Sequence, residues 1–290
     1  MVYSWCIVWA RKEGNEMEEK REHKFYDNHT IPGMLVLVYV GLIVAQLPAG
    51  ITAIDQNSDA LNLAGGIGVA VLACLMMLFF KRKFRPEFDG FSSKVDGKTA
   101  AYIFLPFIIF WVISIPVEIF VEDTMHVPTL AMVGVALAAG FAEEIAFRGY
   151  GESYLMRQWS GEKSVINTLI LTSVLFGLTH VANVVAGANP GGTVVQFFGS
   201  IFIGIFLGAV FLATGNLWIP IVIHVIHDIL AFATQPVFNS GIVTEGMNAM
   251  DIVDLLLCAG LACFGLYLVR KSKRAEIRAM WDEKWSKTAE

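Results

Sequence analysis

The stretch TLAMVGVALAAGFAEEIAFRGY, residues 129–150, decides the fold of this protein. It contains no charged residue from Thr129 to Ala142, and then brings together Glu143, Glu144 and Arg148. An apolar run of about twenty residues spans the ~30 Å hydrocarbon core of a bilayer as a helix, because a helix satisfies its own backbone hydrogen bonds. Ionisable side chains inside such a run are costly and persist mainly where they function. The stretch therefore predicts a transmembrane helix that carries a functional site.

The same apolar pattern recurs along the whole chain, and it predicts an all-α polytopic membrane protein with about eight transmembrane helices. The runs cover residues 32–53, 61–80, 99–121, 129–150, 165–185, 194–215, 219–238 and 251–270. Only 16% of the 290 residues are charged, whereas a soluble domain carries roughly 25%. The low fraction of charged residues thus agrees with the presence of eight apolar runs.

The basic residues predict the orientation of the chain in the membrane. All 21 lysines and arginines lie in the N-terminal tail, between Lys81 and Lys98, between Arg148 and Lys163, or from Arg270 onward. With eight spans, these four segments fall on one side, which the positive-inside rule makes cytoplasmic. We therefore expect both termini in the cytoplasm of a multi-pass protein, and the short tails favour a bacterial plasma membrane.

Three regions follow from this reading. Residues 1–30 form a cytoplasmic N-terminal tail, in which Met17 is an alternative start to Met1. Residues 31–270 form the membrane domain. Residues 271–290 form a cytoplasmic tail with apolar side chains at helical spacing, which predicts an amphipathic helix on the inner membrane surface; these side chains are Ile277, Met280, Trp281 and Trp285.

Several other classes of function find no support in the sequence. No basic stripe interleaved with aromatic residues indicates nucleic-acid binding. The four cysteines have no CxxC spacing, so neither a disulfide nor a cysteine metal site is predicted. The lipid bilayer and a peptide or membrane-protein substrate are the expected partners.

Helix geometry assigns different surroundings to the ionisable residues within the spans. Glu144 and Arg148 are four residues apart and can form an ion pair on one helix face. Glu143 is rotated by about 100° from Glu144 and is freer to act on a substrate. His224 and Asp228 are also four apart, so the carboxylate can orient the imidazole or share its cavity.

Three further expectations concern depth and the less distinctive residues. Glu143 and His180 reach similar depths only if the fourth helix continues to about Trp159, so we predict that it does. A pocket open to the cytoplasmic side follows from this arrangement. His227 is expected to make a hydrogen bond between helices, and Phe176 to serve in packing.

Three motifs on separate helices, Glu143-Glu144-x-x-x-Arg148, Phe176-x-x-x-His180 and His224-x-x-x-Asp228, carry a family resemblance. Together they resemble the CPBP family, which comprises type II CAAX prenyl endopeptidases and the bacteriocin-processing and self-immunity proteins also called Abi. The corresponding family core would cover about residues 129–232.

This resemblance implies an intramembrane peptidase. Glu143 with His180 would activate a water molecule, while His224 and Asp228 would hold the substrate carbonyl or its oxyanion. Glu144 and Arg148 would support the site. An ionised Asp228 would repel an oxyanion, so Asp228 is either protonated or confined to orienting His224.

The sequence leaves the cofactor and the class of function open. Glu143, His180 and His224 could supply the three protein ligands of a catalytic zinc ion, but a metal-free mechanism needs the same residues, and we favour it. A non-catalytic adaptor or immunity protein of the same fold and a proton-coupled transporter are the alternatives to a peptidase. Prenylated proteins, bacteriocin leaders, signalling peptides and small membrane proteins are all candidate substrates.

Overall fold

The computed structural model describes residues 28–52, 58–84, 88–122, 127–185, 187–234 and 249–286. Within these ranges every regular element is a helix and no strand occurs. Met1, Met17 and most of the N-terminal tail lie outside the described residues, so the choice of start and the location of the tail stay predictions.

Seven of the described helices are long and apolar enough to cross a membrane, which confirms a polytopic all-α fold. They are α1 (Thr30–Ile51), α2 (Asp59–Lys83), α3 (Gly97–Phe120), α4 (Leu130–Gln158), α5 (Lys163–Val184), α6 (Pro190–Thr214) and α8 (Met250–Leu268). The seventh predicted run corresponds to the apolar helix α7 (Trp218–Thr234), which has 17 residues. A helix of that length extends about 25 Å.

Large apolar side chains cover the outside of the bundle. Ile43 is 68% exposed, Phe79 67% and Leu256 69%. Exposure of this kind would be unfavourable in water, but it suits helices that face lipid. The chain is therefore an integral, multi-pass membrane protein.

The two ends of the helix bundle differ in charge. One end, which we call the basic end, carries the lysines and arginines at the helix termini; these are Lys81, Arg82, Lys83, Arg157, Lys163 and Arg270. The opposite, acidic end includes Asp59 at the start of α2 and Asp251 and Asp254 near the start of α8. The basic end corresponds to the predicted cytoplasmic side, and this orientation stays a prediction.

Glycines allow α2 and α4 to cross with their backbones in contact. A Cβ atom on Gly66 would collide with the carbonyl oxygen of Gly134, and one on Gly134 would press against the backbone of Asn62 and Leu63. Small residues permit such close approach of membrane helices. This crossing fixes the position of α4, the helix with the two glutamates.

We expect Gly66→Ala to destabilise the protein by about 1–3 kcal/mol, the usual cost of inserting a carbon into a packed interface. Thermal unfolding of the purified protein in detergent measures the change. Gly50→Ala is the control, because a Cβ at Gly50 meets no atom within 4 Å. Equal melting temperatures for the two variants would contradict the close crossing.

The C-terminal helix α9 (Lys271–Ser286) packs on protein, whereas the sequence predicted that its apolar face would lie on the membrane surface. Trp281 is fully buried and donates its indole N–H to the carbonyl of Leu212 at 2.9 Å. Trp285 donates to the carbonyl of Ser153 at 3.0 Å. The amphipathic face was predicted correctly, but it covers the basic end of the bundle.

The fourth helix continues to Gln158, as its depth required, and it is not a uniform α-helix. Residues Ile145–Glu152 form a π-helical segment. A second π-helical segment, Val36–Val40, lies in α1 and packs against the first. The rings of Tyr39 and Phe147 meet edge to face across this contact, with centroids 6.1 Å apart. Such segments are often found at functional sites, and neither was predicted from the sequence.

Candidate active site

Glu144 and Arg148 form the predicted ion pair inside α4. Arg148 Nη1 donates to Glu144 Oε1 at 2.9 Å, and the two side chains are 1% and 0% exposed. Buried charges are tolerated only when paired and hydrogen-bonded. The pair is therefore part of the interior and not of the accessible surface.

Arg148 also connects α4 to α5 and α6. Its Nη2 donates to the carbonyl of Gly204 at 3.2 Å, and its guanidinium carbon lies 4.6 Å from the centre of the Phe176 ring. A Cβ on Gly204 would come within 3.2 Å of Ser173. The glycine thus brings α6 close enough to α5 for this arrangement.

Glu144 holds His224, a contact that the sequence did not predict. His224 Nδ1 lies 2.8 Å from Glu144 Oε1. Because that oxygen already accepts from Arg148, the imidazole nitrogen is the donor. Asp228 was expected either to orient His224 or to share its cavity. Glu144 makes the orienting hydrogen bond, and Asp228 lines the same cavity as His224. A hydrogen bond to one ring nitrogen of a histidine fixes its tautomer. It therefore also determines which nitrogen is left to react.

The other nitrogen of His224 lies between two carboxylates. Its Nε2 is 3.8 Å from Glu143 Oε2 and 3.7 Å from Asp228 Oδ1. These distances are too long for direct hydrogen bonds, but they suit bridging by a water molecule or a substrate oxygen. Glu143 and Asp228 are each 19% exposed, whereas Glu144 is fully buried.

His180 has its own fixed tautomer. Its Nδ1 lies 3.0 Å from the carbonyl oxygen of Phe176, one turn earlier on α5. A carbonyl only accepts, so Nδ1 carries the proton and a neutral His180 keeps a free acceptor at Nε2. Phe176 therefore does more than pack: its carbonyl fixes His180, and its ring contacts Arg148.

A cavity of about 450 Å³ brings the four predicted catalytic residues together. Glu143, His180, His224 and Asp228 all line it, and Glu144 and Arg148 do not. Two amides, which sequence reasoning missed, join them: Asn183 donates to Gln196 at 3.0 Å, and both side chains line the cavity. In the sequence these two residues stand out only as polar positions near the ends of apolar runs.

The cavity extends toward the acidic end of the bundle. Its lining includes Gln46 near the end of α1, Val135 near the start of α4 and Asn183 at the end of α5. All three lie on the side opposite the basic helix termini. The lining thus extends toward the end opposite the predicted cytoplasmic side, and the expectation of a pocket open to the cytoplasm stays a prediction.

A second buried carboxylate on α4 also escaped sequence analysis. Glu152 is fully buried and accepts a hydrogen bond from Thr172 at 3.1 Å. It lies at the end of the π-helical segment, against the backbone of Gly208. In the sequence it is visible only as a glutamate just beyond the predicted end of the fourth apolar run.

The geometry does not fit a metal centre. Among the described residues, no group of three or more histidine, cysteine, aspartate and glutamate side chains is arranged to hold a metal ion. His224 Nδ1 and His180 Nδ1 are each committed to a protein acceptor. These bonds engage only Nδ1 and leave Nε2 of each ring, the arrangement that a metal-binding histidine also shows. The described residues hold no preformed zinc site, and no catalytic step is assigned to a metal.

Comparison with family models gives one match. Residues 125–230 match the model described as type II CAAX prenyl endopeptidase Rce1-like. Comparisons with curated proteins and with solved structures found no match. The matched segment contains all seven residues that the three sequence motifs singled out, from Glu143 to Asp228. The four cavity-lining groups thus lie in a segment that matches a membrane-protease family model, and this match supports membership of the CPBP family.

Proposed function

We propose that this protein is an intramembrane endopeptidase that cleaves a peptide or a membrane-associated protein. The observation that carries the proposal is the convergence of Glu143, His180, His224 and Asp228 on one cavity inside the helix bundle. Peptide hydrolysis needs a base, an activated water and a group that stabilises the oxyanion. These four side chains can supply all three.

Glu143 and His180 act on the water molecule. The Glu143 carboxylate is partly exposed to the cavity and is not committed to Arg148, so it can accept a proton. His180 can accept a hydrogen bond at Nε2, because Nδ1 is held by the Phe176 carbonyl. A water held by both groups is oriented toward a substrate carbonyl in the cavity.

His224 and Asp228 hold the carbonyl oxygen of the substrate. Glu144 occupies His224 Nδ1 and so directs Nε2 into the space between Glu143 and Asp228. Protonated His224 donates from Nε2 to the developing oxyanion. Asp228 acts in its protonated form, because an ionised carboxylate would repel the same oxyanion.

The proton balance of the reaction closes within these groups. Water loses a proton to Glu143 as its oxygen forms a bond to the carbonyl carbon. When the carbon–nitrogen bond breaks, the leaving amine receives that proton. Glu143 thus acts first as a base and then as an acid, and is regenerated at the end of the cycle.

The proposal is tested by comparing the membrane-associated peptides of cells that express wild type, Glu143→Gln or His180→Ala at matched protein levels. Fragments that occur with wild type and disappear with both variants are expected, because each change removes a group that activates the water. Mass spectrometry of the fragments also identifies the substrate and the cleaved bond.

Identical peptide profiles for all three proteins would contradict a peptidase. If deletion of the gene then still altered the cells, the non-catalytic adaptor would be the better account. A proton-coupled transporter would instead show accumulation of a solute that depends on the same residues.

A further inference from the structure

Gln196 lies where two cavities meet. A second cavity, of about 250 Å³, adjoins the first beside the candidate active site. Gln196 lines both cavities, and so do His180, His224 and Asp228. A peptide whose scissile carbonyl lies beside His224 therefore passes Gln196 as it extends from one cavity into the other.

A peptide in these cavities brings backbone groups that need hydrogen-bond partners. The peptide has to be extended around the cleaved bond, because a helix would engage the scissile carbonyl in its own hydrogen bonds. Each N–H or C=O group left unpaired away from bulk water costs free energy. The bundle backbone offers few partners, since every regular element in the described ranges is a helix and no sheet edge is present there. Side chains therefore have to supply them.

Asn183 and Gln196 form a pair that keeps both an acceptor and a donor free. Asn183 Nδ2 donates to Gln196 Oε1 at 3.0 Å, and both side chains line the first cavity. Asn183 Oδ1 and Gln196 Nε2 make no hydrogen bond within the described part of the chain, and neither atom is buried. Exchanging the amide oxygen and nitrogen in both residues leaves the same combination. A peptide group carries the complementary N–H and C=O.

Other polar side chains of the cavities are less suited to this contact. Thr179 donates its hydroxyl to the carbonyl of Leu175 at 3.0 Å. Gln46 lines the first cavity but not the second. His227 lines the second cavity, but its Nδ1 is buried and makes no hydrogen bond with the described residues. The hydrogen bond between helices that the sequence predicted for His227 is therefore not made by this nitrogen.

The position of the pair determines which peptide group it can reach. Asn183 follows His180 by three residues and lies in the 3-10 turn Ala182–Val184 at the end of α5. Three residues advance about 4.5–6 Å along such a helix end, whereas an extended peptide advances about 3.3 Å per residue. The pair therefore faces a peptide group one or two residues from the cleaved bond.

We propose, on the basis of the peptidase function, that Asn183 and Gln196 bind one backbone peptide group of the substrate, one or two residues from the cleaved bond. The substrate N–H donates to the free carbonyl of the pair, and the substrate C=O accepts from its free amino group. This contact recognises extended main chain and does not select a side chain. It holds the scissile carbonyl in register with His224.

Backbone esters test this contact, because an ester lacks the N–H of an amide and has a weaker carbonyl acceptor. The protein is full-length Glu143→Gln in lipid nanodiscs, so that binding is measured without cleavage. The probes are N-acetylated, C-amidated peptide pools of random uncharged residues, with a central secondary alcohol in place of the scissile carbonyl to fix the register. Each flanking amide is replaced in turn by an ester. We expect the ester at one position to weaken binding about tenfold.

Substitutions then identify the protein groups that make the contact. Asn183→Leu combined with Gln196→Met, in the same background, removes both amides at nearly constant size. This double variant should bind the all-amide pool about as weakly as the parent binds the sensitive ester, and that ester should cause no further loss. A merely structural role of the pair would leave the ester effect intact. Asn167→Leu is the matched control, since Asn167 is exposed on α5 and lines neither cavity.

Three outcomes would overturn the proposed contact. They are equal binding of the all-amide pool and every ester pool, an ester effect that persists in the double variant, and loss of the effect in Asn167→Leu. The first conclusion also applies if the all-amide pool does not bind. The fragments found in cells score the peptidase separately. An ester effect without fragments supports the peptide site and contradicts the peptidase, whereas fragments without an ester effect do the reverse.

Discussion

Glu143→Gln is expected to lower kcat/KM for peptide cleavage by about 10²–10⁴-fold, the range that a positioned general base contributes. Glutamine has nearly the shape of glutamate but cannot take a proton from water. Glu143 is 19% exposed and makes no close ion pair with Arg148, so the fold should tolerate the change. The measurement is the rate at which the purified protein cleaves the substrate that was identified in cells.

The control is Glu162→Gln, which removes an exposed carboxylate at the basic end of the bundle. It should leave both kcat and KM unchanged. The melting temperatures of both variants should equal that of the wild-type protein. A Glu143→Gln protein that retains wild-type kcat would contradict the assignment of this residue as the base. A change in KM alone would indicate that Glu143 only binds the substrate.

The fold could be predicted largely from the sequence, because hydropathy and helix length act locally. Apolar runs located the membrane helices, and the depth of Glu143 relative to His180 required α4 to continue past Tyr150. The pair Glu144–Arg148 followed from helical spacing alone. These predictions depend only on residues close together in the chain.

Features that depend on helix–helix packing could not be predicted in this way. The contact of Glu144 with His224 joins residues 80 positions apart, and it depends on how α4 and α7 are rotated against each other. The π-helical segment of α4 likewise packs on a distant part of the chain, because Gly151 lies against Val38 of α1. Neither leaves a pattern in composition or spacing.

The packing of α9 and the extent of the cavity were hard to predict for the same physical reason. An amphipathic helix such as α9 can bury its apolar face against lipid or against protein, and its pattern is identical in both cases. The extent of the cavity depends on how the helices pack along their length, and small side chains such as Ala138 and Ala139 of α4 line it. Helix ends and charges alone do not determine this packing.

Arg148→Met should have the largest effect on stability, about 3–5 kcal/mol, because it leaves the fully buried Glu144 without its cationic partner. The guanidinium also holds the carbonyl of Gly204 and the ring of Phe176, so α5 and α6 lose contacts as well. Denaturation in detergent, followed by the signal of the buried tryptophans, measures the loss. Arg82→Met is the control, since Arg82 is exposed at the end of α2 and its loss should cost less than about 0.5 kcal/mol.

The double variant Glu144→Gln/Arg148→Met separates the charge effect from the packing effect. Removing both charges avoids an unpaired buried carboxylate, so part of the lost stability should return. Activity should not return, because glutamine at position 144 holds His224 Nδ1 less strongly than a carboxylate does. A double variant no more stable than Arg148→Met would mean that Arg148 acts through its contacts with Gly204 and Phe176 and not through Glu144. Recovery of stability without activity would instead show that the buried pair serves His224 and is not needed for folding.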